Sequence, residues 1–183
     1  MILFINACVR KQSRTLRLAK EVLSRLGEPY EEVCLEKLEL KPLDEEAYEE
    51  RNRLVAEGHF DDPCLALSRQ FAEAETIVIA APYWDMNFPS LLKLYFERVY
   101  VIDIVSSFDQ TGRPHGLCKG KKLYFVTTSG GPFSPRFSYD YVHELATGMF
   151  GVKETRLVAA SFMDIDGGDP EARLKEAIDA FVP

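Results

Sequence analysis

Three short stretches carry the residues whose types and spacing could do chemistry. The first is Ala7-Cys8-Val9-Arg10-Lys11-Gln12-Ser13-Arg14-Thr15. Ser13 and Thr15 offer hydroxyls beside Arg10, Lys11 and Arg14, and a helix that begins here adds unpaired N–H groups and partial positive charge, a combination suited to an anion such as a phosphate. Ser13 acting as a plain helix cap beside solvated basic residues explains the same stretch equally well. Cys8 and Arg14-Thr15 also stand at the C-x5-R-[ST] spacing of a thiol nucleophile facing a phosphate ester. The second stretch, Tyr83-Trp84-Asp85-Met86, contains the sole tryptophan and gives flat apolar surface that suits a planar heterocycle; Tyr83 and Phe88 taken singly read better as satellite core. The third, Thr128-Ser129-Gly130-Gly131, precedes Pro132, and its paired glycines either admit a ligand close to the backbone or form an ordinary turn.

The elements that must position these stretches alternate between short apolar runs and amphipathic segments, the pattern of a parallel sheet covered on both faces. Strands are expected over Ile2–Asn6, Tyr30–Leu35, Thr76–Ala81, Leu123–Thr128 and Arg156–Ala160. Helices are expected from Ser13 to Gly27, over Leu65–Ala74, from Pro89 as first helical residue to Tyr100, and over Tyr139–Phe150 and Pro170–Phe181. Val101–Leu117 reads as an irregular excursion or hairpin turning at Gly112 and Pro114. Glu36–Asp62 is charged, helical around Asp44–Val55, and expected outside the sheet. Five strands joined by right-handed crossovers make one doubly wound α/β domain over residues 1–183, with helices on both faces. Such a sheet binds ligands beyond the carboxyl ends of its strands, and all three stretches fall there, after the first, third and fourth strands.

Composition narrows the partners. The apolar fraction of 46% and charged fraction of 28% are those of a folded domain. A net charge of −7 argues against a nucleic-acid partner, which would require a basic face. The apolar runs are too short to span a membrane, and Met1 leads directly into Ile2-Leu3-Phe4-Ile5 without a basic leader. Cys8, Cys34, Cys64 and Cys118 are scattered, with no C-x-x-C pair. No metal site and no disulfide framework are expected, and a reducing cytoplasm is the natural setting.

At these residues the chain resembles the FMN-dependent NAD(P)H:quinone oxidoreductase and azoreductase family within the flavodoxin-like group, which implies a single flavodoxin-like domain with a five-stranded parallel sheet of order 2-1-3-4-5. The matching stretches are the first strand with Ser13-Arg14-Thr15, the run from Ala81 through Ser90 to Leu92-Lys93-Leu94-Tyr95-Phe96, Gly120-Lys121-Lys122 leading to Thr128-Ser129-Gly130-Gly131, and the excursion Phe108–Leu117. The resemblance implies that Cys8, Ser13, Arg14 and Thr15 surround the phosphate of flavin mononucleotide (FMN). It places Tyr83, Trp84, Asp85 and Met86 along the isoalloxazine ring, and Thr128, Ser129, Gly130 and Gly131 at its pyrimidine end. It further implies NADH or NADPH as donor, a small aromatic acceptor (a quinone, azo compound or nitroaromatic), and a homodimer meeting through the helix from Pro89 and the excursion after it. No side chain is assigned as a catalytic acid or base, because the flavin carries the chemistry. The sequence departs from the family at Cys8, where serine is usual, and at Asp85, where asparagine is common; a carboxylate there disfavours reduced, anionic flavin. Two other readings stand beside this one. A low-molecular-weight tyrosine phosphatase would use Cys8 and Arg14 with Asp169 as acid, and a flavodoxin-type carrier would pass electrons without turnover of its own.

Overall fold

β1 (Ile2–Asn6) is buried along its whole length, as a strand covered on both faces must be. A computed structural model describes residues 1–183. α1 (Arg14–Leu26) begins at Ser13, whose Oγ accepts from the Leu16 N–H at 3.2 Å, and ends at Gly27, whose φ of 68° is the left-handed turn that glycine adopts without strain. β2 (Tyr30–Cys34) buries only Val33, as befits an edge strand. α2 (Glu45–Ala56) and α3 (Ala66–Glu73) precede β3 (Thr76–Ala80) and α4 (Ser90–Val99). β4 (Ser106–Phe108) and β5 (Pro114–Gly116) form a separate antiparallel hairpin. β6 (Lys122–Thr128), α5 (Tyr139–Glu144), β7 (Glu154–Ala160) and α6 (Pro170–Asp179) complete the chain.

The main sheet runs β2-β1-β3-β6-β7, all parallel. With the β4–β5 hairpin set aside, this is the expected order 2-1-3-4-5. Alternate residues feed two cores. Ile2, Phe4, Val78, Tyr124 and Val126 pack under α1 and α6, whereas Leu3, Ile5, Ile77, Ile79, Leu123 and Phe125 pack under α3, α4 and α5. Helices thus cover both faces, and the ends of β1, β3, β6 and β7 emerge at one edge.

Four local expectations change. Pro89 is the residue before α4 rather than its first turn: its ψ of 144° is extended, and the helix starts at Ser90. The second strand stops at Cys34, because Leu35–Lys37 coils into a single 3₁₀ turn. Pro63–Leu65 forms another such turn, so the helix expected from Leu65 starts at Ala66. The helix expected over Tyr139–Phe150 is α-helical only to Glu144 and widens to a π-helix over Leu145–Phe150. There the Thr147 hydroxyl donates to the His143 carbonyl at 2.8 Å, a back-bond that competes with the regular ladder. The charged segment 36–62 lies outside the sheet, as expected. Its helix α2 is fastened to the end of α4 by the Arg51 guanidinium, which donates to the Glu97 and Tyr100 carbonyls at 3.0 and 3.3 Å.

Candidate functional site

The first wall of the site is the turn from β1 into α1. The Ala7 N–H donates to the Ala80 carbonyl at 2.9 Å and the Cys8 N–H to Asn6 Oδ1 at 3.0 Å, so the chain leaves the strand in a fixed direction. Because the first internal bond of α1 runs from Arg17 N–H to Ser13 O, the N–H groups of Arg14 and Thr15 lie ahead of the helical ladder and have no acceptor within it. Arg10, Lys11, Arg14 and Arg17 surround this turn, with Glu171 pairing Arg17. The Ser13 hydroxyl, already accepting from Leu16, keeps its own proton to donate.

The second wall follows β3. The Tyr83 N–H donates to the Thr128 carbonyl at 3.1 Å, and the Tyr83 ring meets Phe133 edge-on at 4.9 Å. Trp84 and Asn87 exchange backbone bonds of 2.8 and 2.7 Å, closing a tight turn whose tip residues Asp85 and Met86 have φ of 50° and 65°. Left-handed conformation at both central positions is the geometry of a type I′ turn. The third wall, after β6, is stitched to the loop after β7. The Phe162, Met163 and Asp164 N–H groups donate to the carbonyls of Gly131, Ser129 and Gly130 at 3.0–3.1 Å. Across the floor, the hydroxyls of Thr15 and Thr128 lie 2.7 Å apart.

These walls enclose a cavity of about 580 Å³, within the range of small-molecule sites. Ser13, Arg14, Thr15, Tyr83, Trp84, Thr128, Ser129 and Gly130 line it, from three stretches far apart in sequence. Asp85, Met86 and Gly131 do not. Asp85 faces a neighbouring cavity of about 850 Å³ that shares Trp84, and Met86 is exposed at the tip of its turn. Cys8 is also outside the lining. Its side chain is buried, its Sγ lies 3.7 Å from the Ala80 carbonyl, and burial pushes the thiol up from 9.0 to about 11. A protonated thiol turned into the core cannot attack a phosphate ester, which removes the basis of the phosphatase reading. Asp169, its supposed acid, instead caps α6, accepting from the Glu171 and Ala172 N–H groups.

Met163 and Asp164 line the cavity and were not anticipated. The Arg14 guanidinium donates to the Met163 carbonyl at 3.0 Å and to the Asp164 carboxylate. A contact between residues 14 and 164 leaves no local trace in sequence. The signal that could have found it is topological, since β7 is parallel to β6 and its end must open at the same edge.

The site therefore offers a basic helix N-terminus at one end, an aromatic wall along one side, and a glycine-bearing loop opposite. A phosphate monoester joined to a planar ring fits that order of groups. The arrangement is that of a flavodoxin-like α/β protein, and residues 1–182 match the family model described as the flavodoxin-like fold. The chain is 30% identical over 189 residues to an FMN-dependent NADH:quinone oxidoreductase of Coprothermobacter proteolyticus, spanning 97% of this chain and 94% of that one. It is 30% identical over 190 residues, with the same coverage, to FMN-dependent NADH:quinone oxidoreductase 2 of Clostridium acetobutylicum. Among solved structures, an azoreductase from Bacillus anthracis superposes with a TM-score of 0.81 at 20% identity, over 97% of this chain and 94% of that chain. An FMN-dependent NADH-azoreductase from the same species, solved in complex with FMN, gives 0.80 at 22% identity with the same coverage. At those identities the structures speak for the fold. The chain belongs to the flavodoxin-like family of FMN-dependent NADH:quinone oxidoreductases.

Proposed function

We propose that this chain binds FMN in the cavity at the strand ends and uses a reduced nicotinamide to reduce small aromatic acceptors, namely quinones and azo or nitro compounds. The observation that carries the reading is that one cavity joins the N-terminus of α1 to the Tyr83–Trp84 wall. Bound FMN would supply the redox chemistry, accepting a hydride from NADH or NADPH and passing two electrons to the acceptor. The protein's part is to hold and orient. Arg14, Thr15 and Ser13 provide N–H, hydroxyl and guanidinium donors for the phosphate, Tyr83 and Trp84 a flat contact for the ring, and Gly130 a cavity-lining backbone for its polar edge. Asp85, at the tip of the turn beside Trp84, would place negative charge near the ring and oppose an anionic reduced form. Cys8 would contribute through packing and its backbone.

The negative net charge, the absence of any helix long and apolar enough to cross a membrane, and the scattered cysteines support action in a reducing cytoplasm. The exposed apolar side chains of Met86, Phe108, Leu117 and Phe137 support a homodimer. A flavodoxin-type carrier is less favoured, because the relatives that cover nearly the whole chain are named as oxidoreductases.

The test is the purified protein's own spectrum. A yellow protein bleached by anaerobic NADH or NADPH and recoloured by a quinone bears the proposal out. A yellow protein that neither nucleotide bleaches would identify a carrier, and a chain that binds no flavin would overturn the proposal.

A further inference from the structure

We infer that Asp164 is a built-in competitor for the phosphate of the cofactor, setting how strongly this chain prefers FMN to the phosphate-free flavin. The inference rests on the reading that the cavity holds FMN. Its basis is the pairing of Arg14, the cavity cation at the N-terminus of α1. The Arg14 guanidinium is already engaged by the Asp164 carboxylate and by the Met163 carbonyl at 3.0 Å. Asp164 is not a stray surface acid. Its N–H donates to the Gly130 carbonyl at 3.0 Å, next to the Met163 N–H bond to Ser129 at 3.1 Å, which fixes the backbone beneath the carboxylate. Its second oxygen sits over the third loop in the space that a side chain at Gly130 would need, since a Cβ there would lie 2.5 Å from Asp164 Oδ2. One carboxylate therefore spans the cavity from the first loop to the third.

A phosphate arriving at Arg14 must share or replace this partner, and it meets the repulsion of a like charge nearby. Riboflavin has no phosphate and makes no demand on Arg14. Both members of the pair are substantially solvent-accessible, so the competition is moderate and screened by salt. The opposite role is a carboxylate that orients Arg14 toward the phosphate. The two roles predict opposite signs for the same substitution.

The experiment titrates the apoprotein with FMN and with riboflavin by quenching of flavin fluorescence, for the wild type and Asp164→Asn, at low and high salt. Competition predicts that Asp164→Asn binds FMN about three- to tenfold more tightly at low salt, with a smaller gain at high salt and riboflavin affinity unchanged. In an Arg14→Met background the gain should shrink to the part owed to like-charge repulsion, because the competition for the guanidinium is gone. Weaker FMN binding by Asp164→Asn would show an orienting carboxylate instead, and an equal gain for both flavins would show mere steric relief; either result overturns the inference. Inorganic phosphate, followed by thermal shift on the same proteins, gives a readout without flavin. If no flavin binds either protein, the proposed function fails, and the phosphate titration alone decides whether Asp164 competes.

Discussion

Gly116 and Gly151 meet backbone to backbone: a Cβ on Gly116 would lie 2.1 Å from the Gly151 nitrogen, and one on Gly151 would lie 3.0 Å from the Gly116 Cα. The contact docks the end of the β4–β5 hairpin on the end of the π-helix, where Cys118 N–H also donates to the Phe150 carbonyl at 3.2 Å. Gly116→Ala leaves no flexible side chain to give way. It should destabilise the fold by about 3 kcal/mol or displace the hairpin, measured by urea denaturation. Gly112→Ala, with open space around it but φ of 78°, should cost about 1 kcal/mol.

Stability should fall in alkali through the buried thiol of Cys8. Below pH 9.0 the folded and unfolded chains both keep its proton. Above that the unfolded chain loses it while burial holds the folded thiol protonated to about pH 11, so the unfolded state gains with each step of pH. The Cys8 share of the fall between those values should be about 2 kcal/mol, and Cys8→Ser should remove that share from urea midpoints taken at pH 8, 9, 10 and 11. Cys118, which burial pushes up from 9.0 to about 12, adds its own decline from pH 9 upward and carries it beyond pH 11. At neutral pH, iodoacetamide should label the exposed Cys64 and spare Cys8 until the protein unfolds.

The single tryptophan makes the proposed site self-reporting. Trp84 lines both cavities and is 39% exposed, so its emission should be quenched as FMN is added. Trp84→Ala should weaken FMN binding about three- to tenfold, the worth of one aromatic stack, with little loss of stability because the ring is half free of the core. An unchanged emission on saturation with FMN would place the ring elsewhere.

Met86 holds φ of 65° at a position where a type I′ turn favours glycine. Met86→Gly should remove about 1 kcal/mol of strain and raise the apoprotein's melting temperature by about 2–4 °C. Any contact that Met86 makes with the flavin should appear separately, as a loss in the FMN titration.

The sheet was legible because its signals are local. Ile2–Ile5 and Ile77–Ala80 are apolar throughout, and Ser13 and Gly27 bracket α1 with their own cap chemistry. The site was legible where a loop leaves a strand and carries distinctive residues, as at Ser13-Arg14-Thr15 and Tyr83-Trp84. Three features had no such signature. The Cys8 side chain turns inward because the Asn6 Oδ1 bond to its N–H and the Ala80 carbonyl beside its sulfur lie in the fold, not in the motif. Asp164 reaches Arg14 only because β7 and β6 are neighbours. The π-helix over Leu145–Phe150 keeps apolar residues at intervals that read as an ordinary helix, and only the Thr147 back-bond and the seat of Gly151 on Gly116 distinguish it.

The stitching of residues 129–131 to residues 162–164 prolongs the β6–β7 ladder past the named strands and into the mouth of the cavity. Beyond the Tyr83 N–H bond to the Thr128 carbonyl, the turn at Trp84–Asn87 is held only by bonds within itself. The entrance is thus mechanically lopsided, with one jamb continuous with the frame and the other hung on a short hinge. Amide protons of Met163 and Asp164 should exchange as slowly as those of the sheet, while those of Asp85 and Met86 exchange at once. Guests of differing thickness would be accommodated by the swing of the tryptophan side, leaving the glycine side as the fixed datum against which every ring is aligned.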